Sequence, residues 1–241
     1  MTRPFSPGFV KLEDCALHGA GPQAAAGGGA ELFVVEGESA ALAVSRVRDA
    51  RTQAVLPMQG KPLNALRASE KRLAAHPLFA ALTDSLGAGR GDAFDGAKLR
   101  YARVLLLMDP DADGIHCGVL MLMFFHRWMR PLLDAGRVEI VRPPWGAVVP
   151  ADGTPPRHAC SEEELLAVAD DVRSRGAATV RRYRGLAAIE PQLLLTACVA
   201  PATRRTDRIG TAEAAAMIQM FGMLDDGLGF GGAGAAISGP Q

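Results

Sequence analysis

Three aspartates at alternate positions are the residues of this chain best suited to chemistry. Asp109, Asp111 and Asp113 follow directly after the aliphatic run Arg103–Met108. A short apolar run that stops at acidic, Pro and Gly residues is typical of a buried strand, and open α/β sheets bind ligands at the carboxyl ends of such strands. Three carboxylates held together there repel one another, so the motif predicts a divalent cation between them.

Two further polar residues follow apolar runs in the same way. The run Leu32–Glu36 ends in a carboxylate, and the run Gln53–Pro57 is followed by a tight turn that ends at Lys61. The carboxyl ends of parallel strands share one edge of a sheet, so we expect Glu36 to converge with the three aspartates. Lys61 is expected on the same edge, where it either neutralises a phosphate or is a solvated surface lysine. The spacing leaves both interpretations open.

Two familiar ion-binding and phosphate-binding loops do not fit these motifs. An EF-hand loop needs an acidic residue at its twelfth position, where this chain has Leu120, and a helix rather than a strand before it. A P-loop of the pattern GxxxxGK[ST] is excluded because Val55 and Pro62 replace its first glycine and its hydroxyl residue. A solvated acidic turn without metal remains the alternative for the aspartates, and Glu36 at the end of a second strand weighs against it.

Apolar runs alternate with helical patterns along the first part of the chain, which predicts an α/β fold with a parallel sheet. The predicted strands are Leu32–Glu36, Gln53–Pro57, Arg103–Met108 and Val138–Val141. The predicted helices are a segment capped by Ser39 and reaching Arg48, then Asn64–Ala75, Leu78–Leu86 and Ile115–Ala135. Farther on, the sequence predicts a loop or short hairpin over 145–160, a strand at Thr179–Tyr183, and helices after Ser161, from Pro191 and over Ala212–Leu224.

Composition restricts the class of protein. The 26 basic and 26 acidic side chains give a net charge of zero, so a nucleic acid would have to be bound by a local basic patch. The four scattered cysteines form no CxxC pair and suggest neither a zinc site nor a disulfide framework; we expect small buried residues in a reducing compartment. No signal peptide or membrane-spanning run is present, so we expect a soluble cytoplasmic protein.

Four motifs follow one another along the chain: Glu36-Gly-Glu-Ser-Ala40, Leu56-Pro-Met-Gln-Gly-Lys61, Met108-Asp-Pro-Asp-Ala-Asp-Gly114 and Arg182-Tyr-Arg-Gly-Leu186. Each motif alone is ambiguous, but together they resemble the TOPRIM region of type IIA DNA topoisomerase B subunits, those of bacterial gyrase and topoisomerase IV. The similarity runs from about Val10 to Arg205. It includes Lys11–Cys15, Phe124–Pro131 and Arg142–Trp145.

The resemblance implies a domain organisation. A TOPRIM metal-binding domain is expected over 31–145, with a Rossmann-like parallel sheet of about four strands and helices on both faces. A helical C-terminal extension is expected over 146–225 and completes the gyrase-B-like region. Residues 1–30 are expected to form an N-terminal loop segment, and residues 226–241 a disordered Gly/Ala tail.

The resemblance also implies roles for the site residues, with Mg²⁺ as the cofactor. Glu36 would act as general acid and base at the 3′-oxygen of DNA and would share one metal with Asp109 and Asp111, while Asp111 and Asp113 would take a second metal. Lys61 would act in catalysis by contacting the phosphate near the scissile bond. Contacts to DNA or to a partner are implied for Arg182, Arg184, Arg204 and Arg205, and a solvated basic face is the alternative for these arginines.

The sequence also departs from the family pattern. The departures are Glu38, Ala40-Ala-Leu42, Pro62, Pro110, Ile115 and Ala187-Ala188. We find no GHKL ATPase region or transducer before the TOPRIM part and no cleavage domain after it. The nucleophilic tyrosine is therefore expected from a topoisomerase A subunit, and the ATPase from a separate GHKL chain.

Two functions follow from this pattern. In the first, the chain is the magnesium-binding half of a topoisomerase DNA cleavage and religation site, inactive alone. In the second, it is a non-catalytic stand-alone TOPRIM module that binds Mg²⁺ and docks on DNA or on an A subunit. A TOPRIM nuclease or primase-like enzyme is disfavoured, because the Pro-x-x-Gly-Lys turn and the Arg-Tyr-x-Gly-Leu segment are topoisomerase-type features.

Overall fold

The computed structural model describes residues 11–19 and 29–228, and in the last helix it describes side chains as far as residue 222. Most of the predicted N-terminal loop and of the predicted tail over 226–241 lies outside the described residues. Residues 226–228 are described, and they end the last helix. Within the described ranges, no helix is both long enough and apolar enough to cross a membrane.

A five-stranded sheet forms the centre of the fold. Its strands are β1 (Glu31–Glu36), β2 (Gln53–Met58), β3 (Arg103–Leu107), β4 (Val138–Val141) and β8 (Thr206–Ile209), in the order β2-β1-β3-β4-β8. The first four strands run parallel, as predicted from the sequence, whereas β8 pairs antiparallel with β4. Strands β1 and β3 are neighbours at the centre of the sheet. From β1 the chain continues outward to β2 in one direction, and from β3 it continues outward to β4 in the opposite direction. The strand order therefore reverses between β1 and β3, which is where α/β sheets bind ligands.

The strand register brings the predicted site residues to one edge. Glu36 pairs with Met58, and Val35 pairs with Leu107. Asp109 follows two residues after Leu107, so it leaves the sheet beside Glu36. The turn that leads to Lys61 starts at the same level from β2.

The sheet is buried on both faces, because side chains along a strand alternate between them. One face carries Leu32, Val34 and Leu106, which pack against the helices that follow β2 and β3. The opposite face carries Phe33, Val35, Leu105 and Leu107, which pack against the helix after β1 and against the segment 186–199. The helix after β1 and the C-terminal segment 186–199 therefore cover this face of the parallel sheet together.

The helices confirm the predicted order but correct several bounds. They are α1 (Gly37–Ser45), α2 (Glu70–Ala75), α3 (Pro77–Leu86), α4 (Ala112–Trp128), α5 (Arg130–Asp134), α6 (Glu162–Arg173), α7 (Pro191–Leu194) and α8 (Thr211–Leu228). Ser39 does not cap α1, because the helix starts directly after Glu36. The helix predicted from Asn64 starts only after Ser69, whose hydroxyl caps it. The predicted helix Ile115–Ala135 is divided at Met129, just before Pro131, whose ring removes a backbone donor.

The extension predicted to be helical is in fact mixed. Strands β5 (Gly146–Pro150), β6 (Arg157–Ala159) and β7 (Ala178–Arg182) form an antiparallel sheet in the order β6-β5-β7. The predicted short hairpin and the predicted strand at Thr179–Tyr183 account for this sheet. Ser161 caps α6 by accepting a hydrogen bond from the Glu164 backbone, as its capping-box pattern predicts. The hydrophobic face of α6 packs on this small sheet through Leu165, Ala169 and Val172.

A buried ion network ties the C-terminal segment to the amino-terminal edge of the parallel strands. The side chain of Arg204 is 3% exposed and that of Glu31 is 5% exposed, and the Arg204 guanidinium donates hydrogen bonds to both Glu31 oxygens. Gln53 also donates to Glu31, and Arg103 lies between Glu31 and Glu139. The network lies at the end of the strands opposite to Glu36.

Candidate metal centre and nucleic-acid interface

Glu36 is placed by an abrupt passage from strand to helix. Gly37 follows with φ of +82°, a backbone conformation that favours glycine, and α1 starts at that residue. The Glu36 side chain is half-buried, and its Oε1 lies 3.9 Å from the Sγ of Cys117 on α4. Its other oxygen, Oε2, is buried and has no hydrogen-bond partner within the described residues. A buried carboxylate oxygen without a donor is costly unless a cation or water meets it.

Asp109 is held by the segment that follows β7. The backbone N–H of Leu186 donates to Oδ1 of Asp109 over 2.9 Å. The backbone of Asp109 is crowded as well: a side chain at Gly114 would place its Cβ 2.1 Å from the Asp109 carbonyl oxygen, so only glycine fits. The aspartate therefore sits between the first turn of α4 and the turn at Gly185.

Asp111 and Asp113 lie on the first turn of α4 and are exposed. Asp111 is the N-cap of the helix, and its Oδ1 accepts a hydrogen bond from the backbone of Gly114 over 2.8 Å. Asp113 Oδ1 lies 2.8 Å from the Nζ of Lys61, which also lies 3.4 Å from Nδ1 of His116. Lys61 therefore lies on the expected edge of the sheet, with an exposed side chain paired to Asp113, and its contact with a phosphate stays a prediction.

The electrostatics separate the inner carboxylates from the outer one. Burial raises the pKa of Glu36, and the neighbouring Asp109 and Asp111 carboxylates raise it further, although the backbone of Asp109 opposes this as a hydrogen-bond donor. Burial also raises the pKa of Asp109, although the hydrogen bond from Leu186 opposes this. The Lys61 ammonium lowers the pKa of Asp113 instead. Among the described residues, no basic side chain forms an ion pair with Glu36 or Asp109, whereas Lys61 pairs with Asp113.

The residues present fit a hard divalent cation. Carboxylate oxygens are the ligands that Mg²⁺ prefers, and no described residue donates a hydrogen bond to the buried Oε2 of Glu36. The cluster is open: within the described ranges, no three of its side chains bring their oxygens all within 4.8 Å of one another. A second group, Asp14, Cys15 and His18 at the other edge, does bring its ligand atoms within that distance. A metal is not expected at that second group, because the Arg100 guanidinium already contacts both Asp14 and His18.

The four predicted DNA-contacting arginines fall into different environments. Arg184 is exposed and lines a cavity of about 260 Å³ beside Glu36 and Asp109. Arg182 stacks over Trp145, 4.1 Å from the ring centre, and pairs with Glu162 on α6. Arg205 pairs with Glu164, also on α6. Both of these remain largely exposed.

Arg204 is a correction to the sequence-based prediction. Its guanidinium is buried against Glu31 at the amino-terminal edge of the sheet, so it cannot reach a DNA phosphate at the carboxyl edge. A run of arginines in the sequence does not distinguish a buried ion pair from a solvated basic face.

Sequence reasoning missed three residues that shape the site. In the sequence, Gly185 and Leu186 stand out only as part of a motif, and Cys117 only as a scattered cysteine. Their contacts with Asp109 and Glu36 join residues that are 77 and 81 positions apart. The Arg-Tyr-x-Gly-Leu motif is the signal that could have found the first two, since its glycine marks a place where a backbone approaches another group closely.

Comparisons with known proteins agree with this geometry. Residues 31–143 match the Toprim domain family. Over 194 residues the chain is 37% identical to the DNA gyrase B subunit of Archaeoglobus fulgidus and 36% identical to that of Thermotoga maritima; each match covers 80% of this chain and 30% of the relative. The DNA gyrase B subunit of Metamycoplasma arthritidis is 34% identical over 212 residues, 88% of this chain and 32% of the relative. The chain thus spans about a third of the length of the curated relatives it matches.

Proposed function

Residues 31–143 of this chain are a Toprim domain within a region similar to DNA gyrase B subunits, and on that basis we propose that the chain supplies the magnesium-binding half of a type IIA topoisomerase DNA cleavage and religation site. One observation carries the proposal. Glu36 and Asp109 meet where the strand order reverses, and the buried Oε2 of Glu36 lacks a hydrogen-bond donor within the described residues. This arrangement suits a cation that faces a phosphodiester.

The carboxylates would have different roles because their environments differ. Glu36, Asp109, Asp111 and Asp113 would hold Mg²⁺, which when bound stabilises negative charge on the phosphodiester oxygens. Glu36 has a raised pKa, which suits a group that gives and takes a proton at the 3′-oxygen. Its two oxygens differ, since Oε1 lies near the thiol of Cys117 while Oε2 has no donor within the described residues.

The basic side chains would bind the DNA backbone. Lys61 stands at the acidic cluster and Arg184 beside the cavity at Glu36, so both can meet phosphates next to the site. Arg182 and Arg205 lie on the adjoining sheet and its connection to β8, where they would extend the contact. Since the chain carries no net charge, these local groups supply the attraction to DNA.

The proposal requires partner chains. The relatives are named as the B subunit of DNA gyrase, and this chain spans about a third of their length. We propose that a topoisomerase A subunit contributes the nucleophilic tyrosine and that a separate GHKL chain contributes ATP hydrolysis. The chain by itself is then expected to bind the cation without cleaving DNA.

A second function is favoured by one specific observation. Ala187 and Ala188 line the cavity beside Glu36, at positions where the family pattern has Gly and Glu. This loss of a carboxylate next to the site favours a module that binds Mg²⁺ and docks on DNA or on an A subunit without turnover.

A reconstituted cleavage assay distinguishes the two functions. The chain is mixed with the A subunit from the same genome, supercoiled DNA and MgCl₂, and nicked and linear products are measured. We expect cleavage that Asp111→Ala abolishes and that Asp152→Ala, in the exposed turn between β5 and β6, leaves intact. Cleavage that persists in Asp111→Ala would refute the assignment. Magnesium binding by calorimetry that Glu36→Ala removes, without cleavage under any condition, would support the non-catalytic module instead.

A further inference from the structure

The metal site includes a contact from outside the part of the chain that matches the Toprim family. Asp109 lies within residues 31–143, whereas the N–H that binds its Oδ1 belongs to Leu186. This hydrogen bond is the one that the described residues supply to the Asp109 side chain. The C-terminal segment thus reaches the carboxylate next to Glu36.

The turn approaches Asp109 closely because it lacks a side chain. Gly185 has φ of +151°, and a Cβ added there would lie 3.0 Å from Oδ2 of Asp109 and 3.3 Å from both its Cγ and its Oδ1. Those separations are tighter than ordinary van der Waals contacts. A side chain at Gly185 would therefore push against the carboxylate itself.

The donor is rigidly anchored. The side chain of Leu186 is fully buried in the cluster that also contains Val35 and Leu107, which lie at the carboxyl ends of β1 and β3. The backbone closes a turn in which Ala188 N–H donates to the Gly185 carbonyl oxygen over 3.1 Å. The same core that sets the strand ends therefore also sets the position of the Leu186 N–H.

We infer that the Gly185–Leu186 turn is a positioning element for the divalent cation: it fixes the orientation of the Asp109 carboxylate. This inference rests on the proposed metal site. Groups that hold a metal ligand in place typically change metal affinity by about 10- to 100-fold when they are altered. The turn acts through Asp109 and need not touch the cation.

Glycine variants at two positions with nearly equal φ test this inference. Gly185→Ala adds a Cβ against Asp109, whereas Gly19→Ala adds one at nearly the same φ, +150°, with no atom of the described residues within 4 Å. Both variants are checked for folding by circular dichroism and then titrated with MgCl₂ and MnCl₂ by calorimetry. We expect Gly185→Ala to weaken the affinity by about tenfold and Gly19→Ala to leave it unchanged.

A second pair of variants avoids backbone strain altogether. Leu186→Ala and Leu194→Ala each remove a buried leucine from the same hydrophobic cluster, and only Leu186 carries the donor. Both should lower the melting temperature, and only Leu186→Ala should weaken cation binding. Equal cation affinity in both variants, or an equal loss in both, would overturn the positioning role. In either case the cation affinity would not depend on the Leu186 donor, and an equal loss would reflect only the lower stability of the fold.

The outcomes also separate this inference from the proposed function. If the unmodified chain binds the cation and folded Gly185→Ala binds it equally well, the positioning role is refuted and the metal site stands. If Gly19→Ala loses as much affinity as Gly185→Ala, the positioning role is refuted as well. If the unmodified chain binds neither Mg²⁺ nor Mn²⁺, the metal site itself is refuted, and the inference with it.

Discussion

The Nζ of Lys61 lies 2.8 Å from Oδ1 of Asp113, so the ammonium group already faces the acidic cluster at the carboxyl edge of the sheet. The pairing raises the pKa of Lys61 and lowers that of Asp113. Both side chains are largely exposed, so the pair contributes little to stability. We propose that its consequence is electrostatic: the positive charge opposes a second cation at Asp113 and would favour a DNA phosphate.

Replacement of the lysine should reveal this competition. In Lys61→Met, Asp113 loses its ammonium partner, and we expect the affinity for Mg²⁺ to rise by about tenfold, the effect of one unit charge roughly 6 Å from a divalent ion in water. Calorimetry in low salt measures the change. Lys98→Met, which removes a surface lysine paired with Asp95, is the control and should leave the affinity unchanged. An unchanged affinity in Lys61→Met would mean that the lysine does not influence the cation.

Glu36 should make the cation-free protein less stable at neutral pH. Its pKa is raised above the ordinary value of 4.5, so the folded state favours the protonated form. The stability that comes from this protonated form is present below about pH 4.5 and is lost as the pH rises through the raised value. We therefore expect Glu36→Gln, with EDTA present, to melt about 2 °C higher than the unmodified chain at pH 7 and to show little difference at pH 4.

The same variant tests cation binding through stability. MgCl₂ should raise the melting temperature of the unmodified chain, because a ligand that binds only the folded state stabilises it, and it should have little effect on Glu36→Gln. Glu163→Gln, on the exposed first turn of α6, serves as the control and should respond to MgCl₂ like the unmodified chain. An equal response of Glu36→Gln to MgCl₂ would remove Glu36 from the cation site.

The parallel sheet and its acidic edge were predictable from the sequence because both depend on local patterns. Apolar runs of strand length ended at Glu36 and before Asp109, and the parallel arrangement then placed both carboxylates on one edge. The division of the helix after Trp128 was also encoded locally, by Pro131, although the helical pattern on both sides concealed it. Local signals therefore account for the four parallel strands, the edge and most helices, but not for β8, which the sequence analysis did not predict.

Contacts between distant residues were not predictable. Arg204 and Glu31 are 173 positions apart, and nothing in the arginine-rich segment marks one side chain as buried and the next, Arg205, as exposed. The hydrogen bond from Leu186 to Asp109 spans 77 positions in the same way. Such contacts depend on which segment covers which face of the sheet, a property that hydrophobic periodicity does not encode.

The buried Arg204 should contribute to the stability of the fold and not to DNA binding. Arg204→Met leaves Glu31 without its main partner in a buried site, and we expect a loss of about 3 kcal/mol in the free energy of unfolding. Arg205→Met removes an exposed ion pair with Glu164 and should cost less than about 1 kcal/mol. Urea denaturation measures both. Addition of Glu31→Gln to Arg204→Met should restore part of the loss, and a loss that remains complete would mean that the buried charge of Glu31 is not its cause.

The exposed Arg184 should bind a DNA phosphate beside the proposed metal site. It lines the cavity next to Glu36 and Asp109, and it follows the basic strand β7. Arg184→Ala should weaken the binding of duplex DNA independently of sequence and should reduce the slope of log affinity against log salt by about one. Fluorescence anisotropy over a range of KCl concentrations, with CaCl₂ present to satisfy the carboxylates, measures both quantities.

Arg175→Ala is the matched control for this prediction. Arg175 is also an exposed arginine of the small sheet region, but it precedes β7 and is held by Asp171 on α6, so it lies at the end of the strand away from Glu36. If the carboxyl edge of the parallel sheet is where DNA lies, only Arg184→Ala should change the salt slope. Equal changes in both variants would instead indicate diffuse binding along the basic strand, in which case the position of the cation site would not determine where the duplex binds.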